Sequence, residues 1–302
     1  MASLHLQQIT ECTYLIPSPA NIGVYVNDHR AILIDSGNDQ DAGRQILKLL
    51  KARDWELDLI VNTHSNADHA GGNAFLQQKT GCRIAATALE AAFIQHPVLE
   101  PAFLFGGFPM KALQNKFLMA KPSTVTDVIP ASGPILATGL EALPLPGHYF
   151  EMIGVKTPDN VIFLADSLFS EEILNKYHLI FLYDLQAHFS TLDCLRTLNA
   201  AWYVPSHAEL TSDITALIDC NIRKIQAILE QIVSWCQPGA MFEELLARLC
   251  QTYNITLNSN QYVLIGSTLK SCLAYLTDQG RITPQFADGT LRWEQNVTSG
   301  LS

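Results

Sequence analysis

Residues 62–73 read NTHSNADHAGGN, directly after the apolar run LDLIV at residues 57–61. The apolar run predicts a buried strand, and the glycine pair predicts a close turn into a following helix. Between them, two histidines, an aspartate and an asparagine stand within six positions. A polar loop between a strand and a helix is the ordinary interpretation of such residues. Whether they form a site depends on what the other strands carry at their ends.

Other apolar runs end in the same kinds of side chain. RAILID ends in Asp35, LPLPGH in His148, IFLAD in Asp166 and WYVPSH in His207. Open faces at strand ends are where proteins build sites, so five ligating residues in such positions, counting His64, indicate one shared centre. The sequence therefore favours a site over an ordinary polar loop.

The spacing inside HSNADH also has a physical meaning. Residues i and i+2 of an extended segment project to the same side, so positions 64 and 66 can share one metal ion. After the turn, Asp68 and His69 can address a second ion.

Composition limits the class of protein. The chain has 302 residues, 48% hydrophobic and 16% charged, which is typical of a compact globule of one large domain or of two. No apolar run is long enough for a membrane span and the N-terminus lacks a signal-peptide pattern, so we expect a cytoplasmic protein without membrane contact. Seven scattered cysteines without a CxxC pair indicate reduced thiols. The net charge of −10 argues against tight nucleic-acid binding.

The chain changes character near residue 212. Before it, short strands alternate with helical stretches such as residues 41–54 and 190–201, and the NDHR turn at 27–30 predicts an antiparallel hairpin. After it come three helical stretches, at 213–236, 240–254 and 258–280, and a hairpin at 281–295. Helix, helix, hairpin is the order of a winged-helix module. With six basic against seven acidic residues from Thr215 onward, a lid or dimerisation unit is favoured over a DNA reader.

The segment THSNADHAGG, with the Asp35, His148, Asp166 and His207 segments in order, resembles the metallo-β-lactamase superfamily, whose core pattern is THxHxDHxGG. The resemblance covers residues 5–210 and is closest to the glyoxalase II-like branch. It implies an α+β fold, an αββα four-layer sandwich with metals at its rim, over residues 1–212. Residues 213–302 are then expected to be a helical linker and a winged-helix-like domain.

The same resemblance implies two metal sites and one or two divalent ions, zinc above all, with iron or manganese as alternatives. Asp35 is expected to orient the loop by hydrogen bonds. This chain departs from the family at Asn66, where relatives carry histidine, and an amide is a weaker ligand for zinc than imidazole. The implied sites are His64, Asn66 and His148 for the first, and Asp68, His69 and His207 for the second, with Asp166 bridging them.

The implied activity is hydrolysis by a metal-activated water of an ester, thioester, lactone or similar bond in a small molecule, with Asp68 as proton acceptor. One alternative is a mononuclear non-haem iron oxidoreductase similar to persulfide dioxygenases, since His64, His148 and Asp166 form a two-histidine, one-carboxylate set. Another is a phosphodiesterase or ribonuclease of the same superfamily. A metal-binding regulatory or scaffolding protein with a degenerate site would rest on Asn66 alone.

Two further segments are candidates for the substrate mouth. Residues 101–123 are rich in aromatic residues, and they are expected to form either a lid over the metals or a core or dimer patch. Tyr177 and Tyr183 follow Asp166 closely in sequence and are predicted to contact substrate. A homodimer is possible.

Overall fold

The computed structural model describes residues 3–296. Its largest sheet has seven strands in sequential order. Strands one to four pair antiparallel with their neighbours, and strands four to seven pair parallel, so the fourth strand belongs to both parts. The predicted hairpin at the NDHR turn is confirmed, because the third and fourth strands pair antiparallel around it. The strands are β1 (Gln7–Gln8), β2 (Thr13–Ile16), β3 (Ile22–Asn27), β4 (Arg30–Ile34), β5 (Glu56–Val61), β6 (Arg83–Ala86) and β7 (Asp127–Val128).

The second sheet has five strands in the order β12-β11-β10-β9-β8. Only β11 and β12 pair in parallel, and their register is interrupted on both sides of Ala165. The strands are β8 (Gly133–Pro134), β9 (Glu141–Pro144), β10 (Ile153–Lys156), β11 (Val161–Phe169) and β12 (Trp202–His207).

Helices cover the outer faces of the sheets. The predicted helix at 190–201 in fact begins at Leu185 and ends at Leu195, because the Asp184 carboxylate caps its first turn by accepting from the Ala187 N–H. The helices of this part are α1 (Gln40–Lys51), α2 (Ala67–Ala70), α3 (Asn73–Thr80), α4 (Ala88–Gln95), α5 (Leu99–Phe105), α6 (Glu171–Tyr177) and α7 (Leu185–Leu195), with a 3₁₀ turn at Lys111–Leu113.

Alternating side chains divide the core into layers. Ile32 and Ile34 of β4 face the second sheet, whereas Ala31 and Leu33 face the helices that cover the first sheet. A third apolar cluster lies between the second sheet and the later helices. The order helix, sheet, sheet, helix is the predicted four-layer sandwich, and it leaves the strand ends open at one rim.

The chain after residue 212 forms α8 (Thr215–Trp235), α9 (Phe242–Thr252), α10 (Ser259–Asp278) and the hairpin of β13 (Ile282–Ala287) and β14 (Thr290–Gln295). The element order is the expected one, and the winged-helix assignment stays a prediction, as does the boundary at residue 212. One apolar cluster joins α8, α9 and α10 to β11 and α7 without a break. No helix within residues 3–296 combines the length and the apolar character needed to cross a bilayer.

Helix α10 also contacts the rim where the strands end. The Thr268 hydroxyl donates to the Ile180 carbonyl at 3.3 Å and accepts from the Leu182 N–H at 3.3 Å. The Ser271 hydroxyl donates to the Tyr183 carbonyl at 2.8 Å. These bonds fix the loop of residues 178–184 against α10.

Candidate metal centre

The loop that carries the first ligands is held by close backbone packing. It leaves β5 at Asn62 and enters α2 after Asn66. A Cβ at Gly71 would overlap the Asn38 backbone, and a Cβ at Gly72 would overlap the Ser36 carbonyl. The glycine pair therefore lets α2 and α3 approach the segment after β4, which brings Asp35 beside the loop.

Asp35 organises this loop from beneath. It is buried and has a left-handed backbone with φ of 65°. Its carboxylate accepts from the Thr63 N–H and the Thr63 hydroxyl, both at 2.8 Å, and lies 2.8 Å from Nδ1 of His69. The expectation that Asp35 orients the loop through hydrogen bonds is confirmed.

All four candidate histidines have one ring nitrogen fixed from outside. Each Nδ1 faces an oxygen that accepts: the Thr63 hydroxyl for His64 at 3.0 Å, and the Asp35 carboxylate for His69. The Phe181 carbonyl lies 2.8 Å from Nδ1 of His148, and the Pro19 carbonyl lies 2.7 Å from Nδ1 of His207. The Thr63 hydroxyl can accept because its own hydrogen goes to Asp35. Each ring therefore carries its proton on Nδ1 when neutral, and Nε2 keeps a free lone pair.

Asp166 lies where these lone pairs converge. Ala165 has a left-handed backbone with φ of 49°, and this irregularity in β11 turns the Asp166 side chain toward the rim. Its carboxylate oxygens lie 3.0 Å from Nε2 of His69, 3.1 Å from Nε2 of His207 and 3.6 Å from Nε2 of His148.

The ligating atoms form two groups, each with all of its atoms within 4.8 Å of one another. Within residues 3–296, Nε2 of His64, Nε2 of His69 and Oδ1 of Asp166 are buried and have no hydrogen-bond partner. Buried polar atoms are rarely left unpaired, so their convergence fits a bound cation. The two groups are His64, His148 and Asp166, and Asp68, His69 and His207.

The pKa values differ between the two groups. Burial, with the neighbouring His69, lowers the pKa of His64 well below its ordinary value, and burial also lowers the pKa of His148. Burial alone would lower the pKa of His69 as well, but the Asp166 and Asp68 carboxylates raise it well above the ordinary value. The pKa of His207 is raised by the same carboxylates. Burial opposes ionisation of Asp166, yet the surrounding histidines hold its pKa well below its ordinary value.

Asn66 stands beside the first group. Its Oδ1 lies 3.2 Å from Nε2 of His148, and its Nδ2 donates to Oε1 of Glu100 at 3.0 Å. Glu100 comes from α5 and is only 6% exposed. Burial, and then the Asp68 carboxylate, raise the pKa of Glu100 well above its ordinary value.

Asp68 is the most exposed member of the centre. Its side chain is 43% exposed, and Oδ2 lies 3.6 Å from Nε2 of His207 and 3.8 Å from Nε2 of His69. It is thus both within reach of a cation shared with these histidines and open to solvent, as a proton acceptor for a water molecule must be.

The two predicted substrate tyrosines lie in different surroundings. Tyr183 stacks on Phe150 with 4.1 Å between ring centroids, and its N–H donates to the Gly147 carbonyl at 3.0 Å, next to His148. Tyr177 is half exposed at the end of α6, where the Lys176 ammonium lies 5.0 Å from its ring. The structure therefore brings Tyr183 to the rim, and the substrate role of both residues stays a prediction.

The sequence interpretation missed two buried glutamates. Glu100 has a detectable signal, because it is the only acidic residue between positions 91 and 126 and stands in an apolar run. Glu90 accepts from the Ser65 N–H at 2.9 Å and from the Ser65 hydroxyl at 2.7 Å. Burial raises the pKa of Glu90 to about 7. Nothing in the local sequence distinguishes Glu90 from a surface helix residue.

Comparison with known proteins agrees with this geometry. A hydroxyacylglutathione hydrolase from Rhodopseudomonas palustris (strain BisB18) is 32% identical over 155 residues, which are 50% of this chain and 49% of the relative. The chain thus spans about half the length of the curated relatives it matches.

Solved structures match over almost the whole chain. A metallo-beta-lactamase family protein from Thermus thermophilus superposes with a TM-score of 0.71 at 19% identity, over 97% of this chain and 99% of its own. A beta-lactamase domain protein from Burkholderia ambifaria has a TM-score of 0.73 at 14% identity, over 96% and 93% of the two chains. At these identities the likeness concerns the fold.

The sequence model described as the metallo-beta-lactamase superfamily matches residues 15–207. That range contains every candidate ligand and both large sheets of the sandwich except the two residues of β1 and the first two of β2. The chain therefore belongs to the metallo-beta-lactamase superfamily of metal-dependent hydrolases.

Proposed function

We propose that this protein hydrolyses a thioester bond in a small molecule, with one or two zinc ions held by the candidate centre. The observation that carries the proposal is the set of four imidazoles that each direct Nε2 toward the Asp166 region, while each Nδ1 contacts an outer acceptor. Imidazole and carboxylate are the ligands from which catalytic zinc sites are built.

When bound, such ions polarise a carbonyl oxygen and lower the pKa of water toward 7. The chain's own part is to place and neutralise charge. Asp166 supplies the shared carboxylate between the two groups. Asp68 is open to solvent and is proposed to hold the attacking water and accept its proton. Tyr183 and Phe150 supply an aromatic wall next to His148, against which the acyl part of a substrate can pack.

The choice of thioester rests on the names of the curated relatives. A hydroxyacylglutathione is a compound in which a hydroxyacyl group is joined to the sulfur of glutathione by a thioester bond. The iron oxidoreductase alternative needs only His64, His148 and Asp166. It gains no support here, because Asp68, His69 and His207 also converge within 4.8 Å, which a mononuclear site would not need. Esters and lactones differ from thioesters only in the leaving atom and stay within the proposal.

The experiment is a substrate panel assayed with the zinc-loaded and the iron-loaded protein. The panel holds an acyl-glutathione thioester, a lactone, a bis(p-nitrophenyl) phosphodiester and glutathione persulfide. Zinc-dependent thioester turnover that His207→Ala abolishes is expected. The matched control is His178→Ala, since His178 stacks on Tyr253, 4.8 Å between centroids, outside the centre. Oxygen consumption on persulfide, with no thioester turnover, would overturn the proposal.

A further inference from the structure

The amide of Asn66 has two possible orientations, and the structure holds one of them. Nδ2 donates to Oε1 of Glu100 at 3.0 Å, which leaves Oδ1 facing Nε2 of His148 at 3.2 Å. Rotating the amide by half a turn would place the NH₂ group against His148 and the carbonyl oxygen against the Glu100 carboxyl.

His148 by itself favours the rotated amide. Its Nδ1 proton goes to the Phe181 carbonyl, so Nε2 presents a lone pair to Asn66. An NH₂ group in that place would form a hydrogen bond, whereas the observed Oδ1 brings a second lone pair beside the first. Two acceptors at this distance repel each other unless a cation lies between them.

We infer that Glu100 is a positioning residue that turns the oxygen of Asn66 toward the first metal site and so makes the amide a ligand. An acceptor at Oε1 of Glu100 holds the NH₂ group away from His148, and the rotated amide would lose this bond. This inference rests on the proposed metal centre. It makes Asn66 a supported neutral ligand rather than an unsupported replacement of histidine.

Glu100 is well held for this role. It is buried in the first turn of α5, whose Leu104 packs with Leu113, Leu118 and Val263 in a separate apolar cluster. The next residues pack on the aromatic wall, since Phe103 lies 5.1 Å from Phe150 between ring centroids. The orienting carboxyl therefore comes from a packed element and not from a free loop.

The test is a zinc titration of metal-free protein by calorimetry, which reads binding without activity. Glu100→Met keeps the volume and removes the acceptor, while Glu100→Gln keeps an oxygen that can accept from Asn66. Partners that orient ligands typically change metal affinity about 10–100-fold. Glu100→Met is thus expected to weaken the weaker of two steps at least about tenfold and to leave the tighter step nearly unchanged. Glu100→Gln should stay close to the wild type.

A double-mutant cycle separates positioning from packing. In an Asn66→Ala background, Glu100→Met should no longer change the weaker step, because the amide it orients is gone. Leu104→Ala on the same helix is the packing control, expected to lower the melting temperature without a selective loss of the weaker step. An equal loss from Glu100→Met in both backgrounds would overturn the inference.

A reversed pair keeps the test available if Glu100→Met does not fold. Asn66→Asp with Glu100→Gln restores the contact with the donor on the other side and presents a carboxylate oxygen to the metal. It should bind the weaker equivalent at least as tightly as the wild type. A pair that binds this equivalent less tightly than the wild type would contradict the inference. Failure of the wild type to take up zinc would instead remove the proposed function.

Discussion

The two halves of the metal centre are built from different chemistry. The first half contains the buried His64 and His148 and the neutral amide of Asn66, which donates to Glu100. The second half contains His69 and His207 beside the half-exposed carboxylate of Asp68. The candidate centre thus combines a half built from neutral groups with a half built around an exposed carboxylate charge.

The pKa values give the same contrast in another form. Burial lowers the pKa of His64 and His148, so both are neutral near pH 7 without help from a metal. Carboxylates raise the pKa of His69 and His207 despite burial. Asp166 places its carboxylate oxygens beside histidines of both halves, which makes it the residue whose loss should remove the contrast altogether.

The largest effect is expected from Asp166→Asn. The amide keeps the volume but removes the shared negative charge, so both halves should lose metal, and thioester turnover should fall by roughly 10³-fold or more. Elemental analysis of the purified variant measures occupancy. Asp193→Asn, at an exposed position of α7, is a control for loss of one aspartate charge and should keep its metal. Retention of a full metal equivalent by Asp166→Asn would show that the halves do not share this ligand.

Gly147→Ala should damage the first half selectively. Gly147 has φ of 124°, and a Cβ there would overlap the His188 backbone. The variant should lose roughly 2–4 kcal/mol of stability, because both the backbone strain and the overlap must be relieved, and His148 should move. Chemical denaturation and zinc titration measure the two effects.

Gly81→Ala is the matched control for Gly147→Ala. Gly81 is also left-handed, with φ of 72°, but a Cβ there meets nothing within 4 Å. It should cost only about 1 kcal/mol and leave both zinc steps unchanged. Equal costs for the two variants would contradict the packing explanation.

The Glu90→Gln variant tests whether the carboxyl that holds Ser65, next to the first half, makes stability depend on pH. Burial raises the pKa of Glu90 from 4.5 to about 7, so the folded chain binds more protons than the unfolded chain between these values. Stability contributed by this group is therefore present below about pH 4.5 and falls by about 3 kcal/mol as pH rises through 7. Glu90→Gln should remove this part of the decline.

Urea denaturation at pH 5 and pH 8, on metal-free protein, measures the change in slope. Glu141→Gln, at an exposed position of β9, should keep the wild-type decline. An unchanged decline in Glu90→Gln would mean that Ser65 is not held by an ionising carboxyl.

The smallest effect is expected from Asn66→His. An imidazole at this position should tighten the weaker zinc equivalent by about tenfold, since nitrogen is the better zinc ligand. The measurement is the two-step zinc titration, repeated with ferrous iron. If Asn66 also positions substrate or water, turnover should fall as the metal tightens. Two equally tight equivalents in the wild type would show that the amide is no handicap.

Much of this centre could be predicted because its ligands occupy strand ends. His64, His148 and His207 each follow an apolar run. In the second sheet, β9 and β12 run in the same direction, so the ends that lead to His148 and His207 lie at one rim. The four-layer fold follows from the same runs with their alternating faces, and the solved structures bear it out.

The outer contacts could not be predicted in this way. Glu100 reaches Asn66 across 34 positions, and the Pro19 carbonyl reaches His207 across 188. Such contacts depend on the path of loops, which local patterns do not determine. The bounds of α7 were missed for a local reason, because Asp184 was not recognised as a helix cap.

The bonds from α10 to the loop of residues 178–184 bear on the history of the chain. Thr268 and Ser271 fix the segment whose Phe181 carbonyl sets the tautomer of His148. A recombination that exchanged everything after residue 212 would have to supply two hydroxyl groups in the same places. We therefore expect the two parts to have diverged together. In chimaeras that join a foreign tail to residues 1–212, metal binding at the first half, which contains His148, should weaken before metal binding at the second half.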